Sequence, residues 1–232
     1  MRIFAIGDLH LSFGADKPMD KFGERWHNHA QRLKEAWERE ITAEDLVLIP
    51  GDISWSIDLA GAMQDLTFVG ALPGQKLLLR GNHDYWWSSA TQVRRCVDPS
   101  VHILQNDAFV SGAYAIAGTR GWTLPEAGAQ GEEARQDERI YARELIRLEL
   151  SLKALPEGKK RIAMLHFPPL EGYRRDTPLT ALLEQYHVET CVYAHLHGAA
   201  HKNAFLGEHH GITYQLASAD YLDFKPLLIA EE

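Results

Sequence analysis

The sequence predicts an α/β sandwich occupying residues 1–232 as one domain. Three observations carry that expectation. In the first half, strand-like apolar runs alternate with amphipathic helical stretches, the pattern of β-α units and a parallel sheet. Mixed strands and helices follow, and the chain ends in strand-rich sequence. Five of the apolar runs end in Asp, Asn or His, so these polar side chains can meet along one sheet edge. A chain of 232 residues is long enough to bury one substantial core. The pattern leaves the order of the layers open.

The first strand, residues 2–6, ends in Gly7-Asp8-Leu9-His10. In extended backbone, side chains two apart point the same way, so Asp8 and His10 can grip one site as a pair. Residues 11–23 contain Gly14 and Pro18 and read as a loop, either a substrate wall or plain surface. Trp26, Ala30, Leu33 and Trp37 recur at helical spacing and predict a helix over 24–40, with His27 and His29 facing solvent. The run 46–49 ends in Pro50-Gly51-Asp52, and a helix over 59–69 follows, with Ser56 or Asp58 as its cap.

The central stretch is Leu77-Leu78-Leu79-Arg80-Gly81-Asn82-His83-Asp84. A buried strand here turns at glycine and presents an amide, an imidazole and a carboxylate in succession. Buried without partners, such groups cost several kcal/mol, whereas at a strand end they can face a cleft. Asn82 offers a neutral oxygen that suits a cation already flanked by carboxylates and imidazoles. Tyr85-Trp86-Trp87 reads either as core packing or as a flat platform for the organic part of a substrate. Ser88 or Ser89 caps a short helix to Arg95.

Strands are expected over 101–104 and 113–117, separated by turn residues Asn106, Asp107, Ser111 and Gly112. The second opens into Gly118-Thr119-Arg120-Gly121, where Arg120 either forks onto a phosphate or forms an exposed salt bridge. Residues 123–131 read as a flexible loop. The helix over 132–155 carries Ile140, Leu145, Leu148 and Leu152 on its apolar stripe, with its charges on a solvated face. The run 162–165 ends in His166, and Phe167-Pro168-Pro169 stops it. Pro178 suits the first turn of a helix to Tyr186. The run 190–194 ends in His195-Leu196-His197, again spaced two apart. A hairpin is expected between 204–206 and 213–216, leaving His209 and His210 exposed on its turn, and 226–230 closes the chain as a strand.

Net charge is −8, from 24 basic and 32 acidic residues, which disfavours nucleic acid and anionic membrane as partners. Cys96 and Cys191 lie far apart and read as free, reduced thiols. No apolar run reaches the ~18 residues of a membrane span. Together these features point to a soluble, cytoplasmic protein.

The order Asp-x-His, Gly-Asp, Gly-Asn-His-Asp, His and His-x-His resembles the calcineurin-like metallophosphoesterase superfamily, over residues 8–197. The resemblance implies two packed mixed β-sheets flanked by helices, a four-layer α/β/β/α sandwich with its metal site at the carboxyl ends of the strands. Two departures are visible. That superfamily usually writes its last motif Gly-His-x-His, where this chain has Ala194, which reads as a small packing change. The protein Ser/Thr phosphatases extend the second motif to Gly-Asp-x-x-Asp-Arg-Gly, whereas here it runs Gly51-Asp52-Ile53-Ser54-Trp55-Ser56, which argues against that branch.

The resemblance implies two divalent cations, with Asp8, His10 and His197 on one and Asn82, His166 and His195 on the other. Asp52 is the natural bridge, because one carboxylate between two cations offsets their repulsion. Cations ~3.5–4 Å apart would activate a bridging water as the nucleophile. His83 is implied as the general acid for the leaving oxygen, and Asp84 as a residue orienting His83 or a ligand histidine. Nitrogen and oxygen donors without cysteine suit Mn, Fe, Zn, Co or Ni, with Mn favoured. The expected function is hydrolysis of a small phosphorylated substrate, a phosphodiester before a phosphomonoester or nucleotide. A non-catalytic metal-stabilised module conflicts with an intact His83. A mononuclear oxygenase or an amidase leaves ligands unexplained.

Overall fold

The computed structural model describes residues 1–126, 128–170 and 175–232. The elements run β1 (Arg2–Ala5), α1 (His29–Glu40), β2 (Leu46–Ile49), α2 (Leu59–Ala71), β3 (Gln75–Leu78), α3 (Ala90–Cys96) and β4 (Val101–Ile103). They continue with β5 (Phe109–Ser111), β6 (Tyr114–Thr119), α4 (Glu132–Lys153), β7 (Lys160–Leu165), α5 (Pro178–Gln185) and β8 (Thr190–Tyr193). A hairpin of β9 (Gly207–His209) and β10 (Ile212–Leu216) precedes β11 (Leu227–Glu231).

One sheet has the order β11-β1-β2-β3-β4 and the other β5-β6-β7-β8-β10-β9. Both are mixed: β1 to β4 run parallel beside an antiparallel β11, and the parallel set β6, β7, β8, β10 is flanked by antiparallel β5 and β9. Alternation along each strand explains the layering. Phe4, Ile6, Val47 and Ile49 face α1, α2 and α3, while Ile3, Ala5, Leu46 and Leu48 face the second sheet. There, Ile162, Met164 and Val192 meet them, and Ala163, Leu165, Cys191 and Tyr193 turn outward to α4 and α5. The result is the four-layer sandwich.

Several boundaries differ from the sequence expectation. Asn28 adopts a left-handed φ of 50°, so α1 starts at His29 and a separate 3₁₀ turn spans Glu24–Trp26. That break turns His29 inward: contrary to expectation it is buried, edge-on to Trp26 at 5.5 Å, whereas His27 is exposed. The loop over 11–23 includes a second 3₁₀ turn, Met19–Phe22. The connection expected between the strands at 101–104 and 113–117 contains β5, which takes in the expected turn residue Ser111 and pairs with β6. The first hairpin strand is β9, shifted toward the turn from 204–206. Position 127, within the loop over 123–131, lies outside the described residues.

Helix ends follow their side chains. Asp58 caps α2 by accepting the Gly61 N–H at 2.9 Å, and Thr177 and Thr180 form a reciprocal capping box on α5. α4 departs from its expected solvated face, because Glu144 is buried among Tyr141, Leu148 and Leu152. Lys76 in β3 is also buried. Its ammonium donates to the carbonyls of Gly70, Leu72 and Gly74 and to Ser100 Oγ, closing the C-terminal end of α2. Both cysteines are free.

Candidate metal centre

The ends of β1 and β2 leave the sheet side by side. Asp8 donates its N–H to Gly51 O at 2.9 Å, His10 to Asp52 O at 3.0 Å, and Leu11 to Ile53 O at 2.9 Å. Gly7 donates to Ala217 O at 2.6 Å, which ties this edge to the end of β10 in the other sheet. The extended-chain reading of Asp8 with His10 gives way here to a different geometry. Asp8, His10, Asp52 and His195 all adopt left-handed backbone, with φ of 54°, 45°, 52° and 74°. Each such non-glycine residue costs ~1–3 kcal/mol, a strain that clusters at functional sites.

Gly81 is required by close approach rather than by its own turn. A Cβ there would stand 2.1 Å from Asp52 Oδ1 and 2.3 Å from Asp52 N. Ala194 is fully buried, and its methyl packs over Gly7, where a Cβ would come within 3.0 Å of it. The extra methyl of the last motif is therefore taken up by a glycine opposite.

The predicted polar side chains converge in two groups. Asp8, His10 and His197 form one, with His10 Nε2 3.2 Å from His197 Nε2 and His197 Nε2 3.8 Å from Asp8 Oδ2. Asn82, His166 and His195 form the other: Asn82 Oδ1 lies 2.6 Å from His166 Nε2 and 3.0 Å from His195 Nδ1. His195 and His197 thus diverge to different halves rather than acting as one pair. Asp52 Oδ2 stands between, 3.8 Å from His10 Nε2 and 3.6 Å from His166 Nε2.

The electrostatics call for a cation. Burial, with the charge of Asp52 adding to it against that of His197, pushes Asp8 up to about 7. Burial pushes His166 and His195 down to about 3. Burial acts downward on His197 too, but Asp8 and Asp220 outweigh it and raise the ring to about 9. Asp8 Oδ1 is buried with no hydrogen-bond partner, and an orphaned acceptor of this kind is costly. The imidazoles of His166 and His195, held neutral by burial, and the crowded carboxylates of Asp8 and Asp52 converge on shared space and fit divalent metal ions, and these residues can hold them.

Supporting groups fix the rings. His166 Nδ1 lies 2.9 Å from Pro50 O, leaving Nε2 to face Asn82 and Asp52. His197 Nδ1 lies 2.9 Å from Asp220 Oδ1. Asp220 was not singled out in the sequence, although it follows another apolar run, β10, by only a short turn. Such partners set ring orientation and donor strength.

Asp84 does not orient an imidazole, contrary to the sequence reading. Its Oδ2 accepts the backbone N–H groups of Gly81 and Asp52, and its Oδ1 accepts those of Ile53 and Ser54 and the indole N–H of Trp86. Trp86 and Trp87 are buried, so the platform reading fails for both. Of that trio only Tyr85 is exposed, edge-on to the His83 ring at 6.2 Å. The aromatic surface beside the centre is completed by Trp55, stacked on His10 at 4.6 Å and 4.5 Å from the His83 ring, together with Trp26. With Met19 and Phe22, Trp55 and Trp26 line a groove of about 380 Å³ that reaches His83 and His197. Nothing in the periodicity around Trp55 marked it.

The His83 ring makes no hydrogen bond among the described residues, while its backbone N–H donates to Asp52 Oδ1 at 2.8 Å. Arg120 lies behind the Asn82 half. Its carbonyl accepts the N–H groups of His166 and Phe167, its guanidinium lies 4.7 Å from the Trp122 ring, and Nη2 is 3.7 Å from Glu144 Oε1.

A family model described as calcineurin-like phosphoesterase matches residues 1–199. Among curated proteins, the Gene 66 protein of Mycobacterium phage L5 is 32% identical over 77 residues, 33% of this chain and only 37% of that protein's length. Among solved structures, a phosphopantetheinyl hydrolase from Mycobacterium tuberculosis superposes with a TM-score of 0.61 at 13% identity, over 100% of this chain and 96% of that one. A protein of unknown function from Aquifex aeolicus gives 0.53 at 14% identity, over 98% and 95%. GAP50, the anchor in the inner membrane complex of Plasmodium, gives 0.54 at 13% identity, over 95% and 72%. At these identities the likeness is one of fold.

Proposed function

This chain belongs to the calcineurin-like phosphoesterase family, and from that premise we propose that it is a metal-dependent phosphohydrolase, a dinuclear phosphodiesterase acting on a small phosphorylated substrate. The observation that carries the reading is the position of Asp52 Oδ2, within 3.8 Å of a donor nitrogen from each half of the centre. Asp8, His10 and His197 would hold one ion, Asn82, His166 and His195 the other, and Asp52 would serve both. Two bound divalent ions supply an acidified water and offset the negative charge that builds up on phosphorus and its oxygens. Nitrogen and oxygen donors without cysteine suit Mn, Fe, Zn, Co or Ni, and manganese serves as the loading ion.

The chain's own residues do the rest. Asp84 fixes the loops bearing Asp52 and Asn82 through backbone N–H groups, so it is a positioning residue. His83, whose ring packs on Trp55 and has no hydrogen-bond partner among the described residues, lies beside the groove and donates a proton from its ring to the leaving oxygen. Arg120 adds positive potential behind the Asn82 half. The groove of Trp26, Trp55, Met19 and Phe22 takes one organic arm of the ester. Among the described residues, no helix is long and apolar enough to cross a membrane.

Metal analysis after manganese loading, with kinetics on bis(nitrophenyl) phosphate and nitrophenyl phosphate, tests this. Two ions per chain and higher kcat/KM on the diester are expected. Asp52→Asn should lower metal content and reduce turnover by at least ~10²-fold, as loss of a preorganised charge does. Wild-type turnover with two ions still bound in Asp52→Asn rejects the shared-ligand assignment. A higher kcat/KM on the monoester rejects the diester reading.

A further inference from the structure

Behind the Asn82 half of the centre lies a second cavity, of about 150 Å³, between the end of β3 and the end of β6. Arg80, Thr119, Arg120, Glu144 and Arg147 line it. Its charges do not balance. Glu144 Oε1 is 2.7 Å from Arg147 Nη1 and 3.7 Å from Arg120 Nη2, while its Oε2 accepts the Thr119 hydroxyl at 2.6 Å. One buried carboxylate thus serves two guanidiniums. Arg80 has no acidic partner among the described residues, and the Nε atoms of both Arg80 and Arg120 are buried without a hydrogen-bond acceptor.

Three arginines around one glutamate leave a surplus of two positive charges in a chain whose net charge is −8. Holding like charges around a half-enclosed space is unfavourable unless an anion sits between them. Planar guanidinium forks with unused N–H groups match phosphate oxygens. Arg80 and Arg120 are carried on the segments that bear or hold ligands of the Asn82 half. Arg80 precedes Gly81 and Asn82 directly, and the carbonyl of Arg120 accepts the N–H of His166.

We propose that Arg80 and Arg120 form an anion subsite for a second phosphate group on the substrate, which is bound while the reacting phosphoryl group occupies the centre. The proposal rests on the phosphohydrolase reading above. It defines the substrate class as a phosphoester carrying one further phosphate, with its organic arm in the Trp26 and Trp55 groove.

The test is calorimetric binding of methylphosphonate and of methylenebisphosphonate, which is not hydrolysed, to the manganese-loaded protein, with metal content measured after titration. Wild type should bind the bisphosphonate at least tenfold more tightly. Arg80→Met should lose most of that gap and change the methylphosphonate Kd less than threefold, while Arg80→Lys should keep part of the gap. An undiminished bisphosphonate preference in Arg80→Met means the metal ions alone supply it and overturns the subsite. Equal weakening of both ligands assigns Arg80 to the reacting phosphate and also overturns it. If Arg80→Met does not fold, Arg80→Lys decides, because an unchanged gap with the fork removed excludes bidentate capture. Failure of the hydrolase reading is separate: the wild-type loaded protein would then turn over neither nitrophenyl ester.

Discussion

The carboxylate of Asp84 accepts the backbone N–H of Asp52 at 2.9 Å, and four further N–H donors complete its surroundings. Burial, and then the charge of Asp52, push Asp84 up to about 7, but donors alone surround its oxygens and hold it as carboxylate. Asp84→Asn sets an NH₂ group against two or three of those donors, whichever way the amide is turned. We expect a loss of ~2–4 kcal/mol of stability and weaker metal retention. Thermal unfolding with metal analysis checks this, and a rate loss at unchanged stability would make Asp84 part of the chemistry instead.

His83→Ala should keep both metal ions, because its ring, which packs 5.8 Å from the His10 ring, makes no hydrogen bond to either donor cluster among the described residues. Turnover should fall ~10²–10⁴-fold for esters of basic alcohols and much less for nitrophenyl esters, whose leaving group needs little proton help. Leaving-group dependence of kcat in variant and wild type is the measurement. Equal losses across the series would count against proton donation.

Neighbouring tryptophans should separate cleanly. Trp86 is fully buried, and Trp86→Ala should cost ~3–5 kcal/mol of stability. Trp55 is half-buried beside the groove, with Lys17 Nζ 3.1 Å from its ring centroid. Trp55→Ala should raise KM for bis(nitrophenyl) phosphate about two- to tenfold, the worth of one aromatic contact, with a smaller stability change than Trp86→Ala. Steady-state kinetics with denaturant unfolding of both variants would show the contrast.

Lys76→Met keeps the length of the side chain and removes the donors that satisfy the carbonyls of Gly70, Leu72 and Gly74. Leaving carbonyls unpaired at a buried helix end should cost ~2–4 kcal/mol. Metal content should be unaffected. Methionine matching lysine in urea midpoint would show that water replaces the ammonium.

Asp45 links the first strand to the turn after α1. It accepts the Arg2 N–H at 3.0 Å, Arg2 Nη2 at 2.6 Å and the Thr42 N–H at 2.9 Å. Burial acts upward on its carboxyl, but Arg2 and Thr42 outweigh it and hold it well below the usual carboxylate range. A depressed folded value means the stabilisation is complete above the unfolded pKa of ~3.9 and drains away as pH falls below it. The gap in melting temperature between wild type and Asp45→Asn should therefore be widest near neutral pH and shrink below about pH 4. A gap independent of pH would show that the pair acts through packing alone.

The sequence by itself determined the sandwich and the identity of the convergent side chains. Apolar runs ending in Asp8, Asp52, Asn82, His166 and His195 encode strands whose polar ends share an edge, because periodicity reports which face of a segment is buried. Tertiary structure alone decided how those groups are supported. Asp220 against His197 Nδ1, Trp55 over His10, Lys76 under the end of α2 and Arg80 facing Arg120 across two sheets all join residues distant in sequence or carried on different elements. A local pattern cannot report such pairings, since a polar group's partner depends on where the chain returns. The same holds for Asp84 and Trp86. Their chemistry suggested the orienting of an imidazole and a substrate platform, yet the backbone N–H groups gathered around one carboxylate make them the internal brace of the site.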